Sequence, residues 1–533
     1  MSVEPAHCIV AALLSERDDD ADAFEFVRWR GEEENAETWS HRDLRAIVRA
    51  EAVRIAGRTR SGDRVIVAHP PGPAFVAGFL ACLLSGRIAV PAAAPTTAAA
   101  RAAVERLATS TDATLVLTRG ESPAEAPDRE DMGTHAPDDN AIAYLQFTSG
   151  STQAPRGAVI THGALRANIA AIGDAWSLTG ADRGVFWLPP FHDMGLVGAI
   201  LAPLAFGAPS TLMHPAAFLQ RPARWLHLMS SRRASFSGGP NFAYDLATDR
   251  AARADTADLD LSSWRVAVNG AEPVRRRTLR RFAERFADNG FRAEAFAPGY
   301  GLAESVLFVS ARRADDPAVD LDADDAAPVD CGVPGRGSAI RIVDEARGTP
   351  VPEGTEGAIW VTGASLAAGY WKAPDASAAH FGGQLDGDDR RWLRTGDVGF
   401  VRDGRLYISG RAKDVLIRGG RKVHAADIEA KIANVLGRRA ACAAFAVSDG
   451  VGEEDIVVLV EHASAQSDAD LHRLRDAVAA AFDLTPDVIA LCAPGAVRLT
   501  TSGKTARAAT RDAWRAGALP VRAVWRRPVS AAA

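Results

Sequence analysis

Cysteine is sparse in this chain: five among 533 residues, Cys8, Cys82, Cys331, Cys442 and Cys492, odd in number and far apart. That spacing fits neither a disulfide framework nor a Cys-x-x-Cys metal site, and a reducing, cytoplasmic setting is expected. No charge of one sign dominates. Against 61 basic residues stand 67 acidic ones, a formal net charge of -6, so the broad basic footprint of a nucleic-acid or anionic-membrane binder is missing. Long apolar runs are missing too. The longest weakly polar stretch, GLVGAILAPLAFGAP at 195–209, falls short of the ~18 residues that a spanning helix needs and carries prolines, so no membrane insertion is expected. The opening MSVEPAHCIVAALLSERDDD sets no basic segment before its short apolar run, so no secretory signal is expected. No fixed-period repeat occurs.

What the chain has is apolar mass and alternating strands and helices. A hydrophobic content of 47% over 533 residues fills at least two cores, because single cores stop growing at roughly 250–300 residues. GDRVIVAHPPG (62–72) reads as a buried strand, PAFVAGFLACLLSG as a helix and RIAVP as the next strand. WRVAVNGAEPV (264–274) repeats the pattern: a strand, a small-residue turn, then a basic helix with Phe282 and Phe286 on one face. An α/β domain with mainly parallel sheet follows. From about 338 the texture becomes strand-rich, in AIRIVDEARGTPVPEGTEGAIWVTG and GRLYISGRAKDVLIRGGRKV, which predicts a β subdomain. Beyond Arg411 shorter elements, AADIEAKIANVL, EDIVVLVEH and ADLHRLRDAVAAAF, predict a separate α+β lobe. The polar or low-complexity stretches 92–103, 119–140 and 311–330 are expected to be surface loops.

One stretch, QFTSGSTQAPRG (146–157), packs Thr148, Ser149, Gly150, Ser151 and Thr152 together ahead of Pro155 and Arg156. Alone it reads first as a solvated turn, with as its alternative a phosphate cradle, in which Gly150 lets backbone N–H groups approach an anion and the hydroxyls and Arg156 complete the shell. It is no Walker A loop, since Gly-Lys-Ser/Thr does not follow at the required spacing. Five further stretches come in order after it: LPPFHDMGL (188–196), NGAEPV (269–274), GYGLAES (299–305), WLRTGDVGF (392–400) with GRLYISGRAKD (404–414), and TTSGKTAR (500–507).

Together the six resemble the adenylate-forming superfamily of acyl-CoA synthetases, nonribosomal adenylation domains and luciferases, over nearly the whole chain. Within it the chain looks most like the fatty acyl-AMP ligases, on SGGPNFAYDLA (237–247), FHDMGL and the segment DRVIVAHPPGPAFVAGFLACLLSGRIAVPAAAP. The resemblance implies an α/β adenylate-forming fold. Its large N-terminal nucleotide- and acyl-binding domain, 1–410, combines α/β subdomains with a β subdomain; a hinge at 411–413 leads to a small mobile α+β domain, 414–533.

It also implies ATP and magnesium as cofactors, and a fatty acid and a separate phosphopantetheine-bearing acyl carrier protein as partners. Activating a carboxylate with ATP brings two anions together, so donors and cations must meet the charge on the α-phosphate and the leaving pyrophosphate. By resemblance Thr148 to Thr152 cradle phosphate, and Arg156, where the family usually has Lys, contacts pyrophosphate. Glu304 matches the magnesium-binding glutamate. Tyr300 with Gly301, and Gly270, Ala271 and Glu272, match the adenine pocket. Asp397 matches the ribose-binding carboxylate, Arg411 the nucleotide-contacting arginine, Lys413 the hinge residue and Lys504 the mobile catalytic lysine. His192 matches the histidine at the junction of acyl pocket and nucleotide, with Asp193 ordering its loop. Phe242 and Tyr244 read equally as acyl-channel liners or as core aromatics. GGQLDGDDRR before Trp392 is a modest insertion where acyl-AMP ligases carry the one that restricts lobe movement and disfavours CoA. An acyl-CoA synthetase and a non-catalytic nucleotide-binding regulator are the alternatives.

Overall fold

The computed structural model describes residues 8–15, 19–118, 137–147, 156–252, 254–325, 327–418, 421–436, 441–447, 454–462, 468–500 and 504–527. The chain forms two compact units. The first comprises Met1–Thr148, Arg156–Thr395 and Gly399–Ile408; the second is built on Gly396–Val398 and Ser409–Ala533.

The first unit contains a nine-stranded sheet made of β1 (Asp22–Arg30), β2 (Glu33–Ser40), β3 (Gly184–Phe186), β4 (Ser210–Met213), β5 (Phe236–Gly239), β6 (Val266–Asn269), β7 (Phe296–Gly301), β8 (Phe308–Ala311) and β9 (Val333–Pro334). Their spatial order is β9-β8-β7-β6-β5-β3-β4-β1-β2. The run from β7 to β1 is parallel, and β2, β8 and β9 pair antiparallel at the edges. All six parallel strands therefore end on one side of the sheet, the side on which open α/β sheets bind ligands.

A second, five-stranded sheet joins Leu115–Leu117, Arg64–Val67, Ile88–Pro91, Ile142–Phe147 and Gly157–Thr161 in that order. The helix Pro73–Leu84 connects two of its strands and is buried at every position from Phe75 to Leu83, which explains its apolar character on all faces. Each large side chain so buried stabilises by about 1.5–3 kcal/mol relative to exposure. The strand-rich region is a six-stranded sheet, with Thr349–Pro350, Ser338–Asp344, Gly357–Gly363, Asp388–Arg402 and Gly383–Leu385 in a row and Arg405–Arg411 paired to Asp388–Arg402. The insertion before Trp392 is a tight hairpin of this sheet, with Gly383 opposite Trp392 and Leu385 opposite Asp388. Its Leu385 packs with the buried Trp360 and Trp392.

The second unit has a four-stranded sheet, Cys442–Val447, Asp455–Glu461, Val488–Cys492 and Val521–Arg526, and the helices Ala425–Val435, Asp468–Phe482 and Arg507–Arg515. One loop expectation fails. Residues 98–103 open the helix Ala98–Thr111, capped by the Thr97 side chain accepting from Ala100 N–H. The alanine-rich run that reads as low complexity is the best intrinsic helix former, and the cap supplies its start. Among the described residues no helix is long and apolar enough to cross a membrane. All five cysteines are free thiols.

Candidate active site

Three of the six motifs and the SGGPNF segment follow the carboxyl ends of neighbouring parallel strands: LPPFHDMGL after β3, SGGPNF at β5, NGAEPV at β6 and GYGLAES at β7. The sheet thus gathers stretches more than a hundred residues apart onto one ridge. Side-chain clamps then fix each loop.

The buried Asn241 donates from Nδ2 to Pro273 O (2.9 Å) and accepts at Oδ1 from Arg275 N–H (3.0 Å), holding the NGAEPV turn in which Ala271 sits at φ 68°. Such a backbone is costly for any residue with a Cβ and persists only where its surroundings impose it. At β7 the backbone runs so close to its neighbour that a Cβ on Gly301 would meet Leu307 O at 1.7 Å. Glycine is required there by space. Tyr300 and Gly301 are half-buried beside this turn, and Gly270 stands against Gly299, whose carbonyl oxygen would lie 2.9 Å from a Cβ at 270. The structure therefore brings Gly270 against Gly299, the residue before Tyr300.

Glu304 lies one turn further on and is half-buried. Its Oε1 accepts from Tyr370 Oη at 2.8 Å. Burial and the Glu304 carboxylate hold the Tyr370 phenol well above its ordinary pKa, so it stays a donor. The Arg156 guanidinium lies 5.4 Å from the Tyr370 ring centroid and donates from Nη1 to His380 Nε2 at 2.8 Å. Tyr370 thus touches both a carboxylate and a guanidinium, a cation–π pairing in the second case. Neither Tyr370 nor His380 was expected from the sequence. Tyr370 owes its place to the 368–371 segment pairing with Gly157–Thr161, through Val159 N to Gly369 O and Trp371 N to Gly157 O.

His192 is half-buried, with its ring 4.8 Å from that of Phe191. Asp193 accepts at Oδ1 from Met194 N–H and caps the π-helix Met194–Leu201. Gln146, at the end of the strand that leads into residue 148, donates to Phe191 O at 3.1 Å. Thr148, Ser149, Gly150, Ser151 and Thr152 themselves lie outside the described residues.

Beneath the π-helix is a small apolar pocket whose wall includes Leu188, Met194, Gly198, Gly238, Val268 and Leu307. Its lining joins the β5 and β6 ends to the segment after Glu304. A second pocket shares Phe186 and Leu188 with it and carries Arg28 and His214 in its wall. Neither cavity is lined by Phe242 or Tyr244. Tyr244 is fully buried among Trp225, Trp264, Phe282 and Phe296 and donates to Val268 O at 2.8 Å. The Phe242 ring lies 5.5 Å from that of Trp187.

In the second unit Arg411 Nε lies 3.1 Å from Asp397 Oδ1, with Asp397 buried and Arg411 exposed. Lys413, in a short turn, is exposed. Lys504 pairs with Thr500, donating from N–H to Thr500 Oγ1 (3.1 Å) and accepting at O from Thr500 N–H (2.8 Å). Arg507, three residues on, grips Glu429 with Nε and Nη2, both at 2.7 Å, and Asp414 with Nη1 at 2.6 Å.

A model of the AMP-binding enzyme family matches residues 15–371. The chain is 35% identical over 537 residues to the long-chain-fatty-acid–AMP ligase FadD28 of Mycobacterium tuberculosis, covering 90% of this chain and 92% of that one. It belongs to the AMP-binding enzymes, among the fatty acyl-AMP ligases. Another relative, 34% identical over 95% of this chain and 98% of its own, bears the provisional name of a fatty-acid–CoA ligase, FadD21, from Mycobacterium bovis. The solved fatty acyl-adenylate ligase of Legionella pneumophila, in complex with acyl adenylate and pyrophosphate, superposes with a TM-score of 0.72 at 31% identity, covering 98% of each chain. The adenylate-forming α/β fold expected from the motifs is the fold of this family, and ATP is its nucleotide.

Proposed function

We propose that the protein activates a fatty acid with ATP to acyl-AMP, releasing pyrophosphate, and passes the acyl group to the phosphopantetheine thiol of a separate acyl carrier protein in the cytoplasm. The observation that carries this reading is the convergence of three motif loops and the SGGPNF segment on one strand-end ridge above an apolar cavity. A carboxylate held at the ridge has its chain in the cavity and its oxygen at the nucleotide. That oxygen attacks the α-phosphorus as the bond to the bridging oxygen of pyrophosphate breaks. In the second step the thiol sulfur attacks the acyl carbonyl, AMP departs and the thiol proton is released.

The residues divide by charge. Thr148, Ser149, Gly150, Ser151 and Thr152 donate to phosphate, and Arg156 meets the leaving pyrophosphate, where a preorganised cation stabilises charge as it develops. Tyr300 and Gly301, with Gly270, Ala271 and Glu272, take the adenine. Asp397 accepts from the ribose hydroxyls and Arg411 contacts the nucleotide. His192 stands where acyl group meets nucleotide. Lys504 bridges carboxylate and α-phosphate, and holding both in reacting geometry lowers the barrier. Lys413 is the hinge between domains 1–410 and 414–533, a division supported by the change of compact unit at Ser409.

Glu304 fits a magnesium site: it is a half-buried hard oxygen donor with one carboxylate oxygen fixed by Tyr370, and a magnesium ion that keeps waters and phosphate oxygens needs only one or two protein carboxylates. Bound there, magnesium would offset phosphate charge.

The deciding experiment incubates the protein with ATP, magnesium and a panel of acids, then offers CoA and holo carrier protein separately. Acyl-AMP followed by acyl transfer to the carrier supports the reading. Rapid conversion to acyl-CoA supports the CoA-synthetase alternative, which the name of FadD21 favours. Absence of any acid-dependent pyrophosphate release would leave a nucleotide-binding regulator.

A further inference from the structure

Asn168 sits on the helix His162–Trp176, wholly buried and outside every motif. Its Nδ2 donates to Ser305 O (3.0 Å) and Phe308 O (2.8 Å), and its Oδ1 accepts from Phe308 N–H (3.1 Å). Every hydrogen-bonding direction of the amide that the 305–308 backbone can use is taken. Within that span Val306 holds φ 66°, a conformation that a β-branched residue avoids unless it is imposed. Glu304 immediately precedes the clamped span, and Ala367 N–H donates to its carbonyl at 2.9 Å. Its carboxylate is held from the other side by Tyr370.

We propose that Asn168 and Tyr370 are a positioning pair for Glu304: Asn168 sets the backbone from which the side chain leaves, and Tyr370 sets the direction in which the carboxylate points. The inference rests on the reading of Glu304 as the metal-binding carboxylate. Tyr370 donates a hydrogen bond to Oε1, so Oε2 would be the oxygen offered to a bound cation. Asn168 acts without touching substrate or metal. Partners that orient a metal-binding group change affinity by roughly 10–100-fold when removed, and this pair belongs at the lower end because each member leaves the other in place.

The test titrates Mn²⁺ by its paramagnetic signal onto the full-length protein with a non-hydrolysable ATP analogue, for wild type, Glu304→Gln, Tyr370→Phe, Asn168→Asp, Asn168→Ala and the double variant Tyr370→Phe/Asn168→Asp. Melting is followed in parallel. Asn168→Asp keeps the acceptor for Phe308 N–H but loses both donations to carbonyls. The half-saturating Mn²⁺ concentration is expected to rise about tenfold for Tyr370→Phe and for each folded Asn168 variant, and the double variant should rise by less than the product of the singles. A folded Asn168 variant, or Tyr370→Phe, that binds Mn²⁺ as wild type does would overturn the proposal. If neither Asn168 variant folds, Tyr370→Phe decides it. An unchanged titration for Glu304→Gln instead overturns the reading of Glu304 itself, which separates the two failures.

Discussion

Gly198 offers the sharpest control over the proposed acyl seat. It lies in the π-helix Met194–Leu201 and in the wall of the apolar cavity, and a Cβ built on it would meet only Leu307 Cδ2, at 3.6 Å. That is ordinary contact, so Gly198→Ala should fold and gain a little from the removal of glycine, up to about 1 kcal/mol by helix propensity. Gly238, in the same wall, is a different case: its Cβ would strike Val268 O at 2.3 Å. Larger side chains at 198 should fill the cavity and exclude the end of the acyl chain. Each methylene denied burial costs about 0.8 kcal/mol, or roughly fourfold in kcat/KM. A Gly198→Leu substitution that displaces three methylenes should therefore lower kcat/KM for long acids by about 2.4 kcal/mol, roughly 60-fold, while acids short enough to avoid the new side chain keep their rate. The assay is acid-dependent pyrophosphate release across saturated acids of increasing length. A uniform loss at all lengths, or an unchanged length profile in folded protein, would refute the idea that this cavity holds the chain.

Three further outcomes are expected. Lys504→Ala should abolish acid-dependent pyrophosphate release while ATP binding, measured by calorimetry, stays near wild type; comparable turnover would remove the lysine from the chemistry. Tyr244→Phe should lower stability by about 1–2 kcal/mol, because Val268 O loses its buried donor, and leave the chain-length profile as it was; a shifted profile at unchanged stability would make Tyr244 an acyl liner after all. His162 is held neutral by burial, its pKa lowered from 6.5 to about 4. The unfolded chain binds this proton more readily, so the contribution is complete above pH ~6.5 and is lost as pH falls toward 4, about 3 kcal/mol in all. Urea unfolding of wild type and His162→Gln at pH 7 and 4.5 checks it: a stability gap that does not change with pH would show that His162 is not the titrating group.

The strands and helices were legible wherever one period ran without interruption. The βαβ signal around 62–91 and the strand-turn-helix at 264–286 were plain because buried parallel strands leave continuous apolar runs. The sequence could not say that LPPFHDMGL, NGAEPV and GYGLAES share a ridge, since strand order is a long-range property. The same limit hides Asn168, Tyr370 and His380. Asn168 looks like any polar residue in a helix, and its three bonds reach about 140 residues along the chain. Tyr244 was undecided because an aromatic near a motif looks alike in a core and in a channel; only its place among Trp225, Trp264 and Phe282 separates them. The helix at 98–111 was missed because alanine carries no periodic signal.

The Arg507 clamp has a mechanical consequence for the second unit. Arg507 stands three residues after Lys504, and it grips Asp414, next to Lys413, and Glu429 on the helix Ala425–Val435. Breaking such a paired arginine on one side strands a half-buried charge, at a cost of about 3–5 kcal/mol. The lysine segment and the pivot segment are thus two points of one stiff crank with little slack between them. On the proposed reading of Lys413 as hinge and Lys504 as catalytic lysine, a change of torsion at 413 would be delivered to the lysine ammonium as displacement, not absorbed on the way. The reach of that lysine is then set by the length of the crank arm, and softening the arm should blur the timing of both half-reactions together.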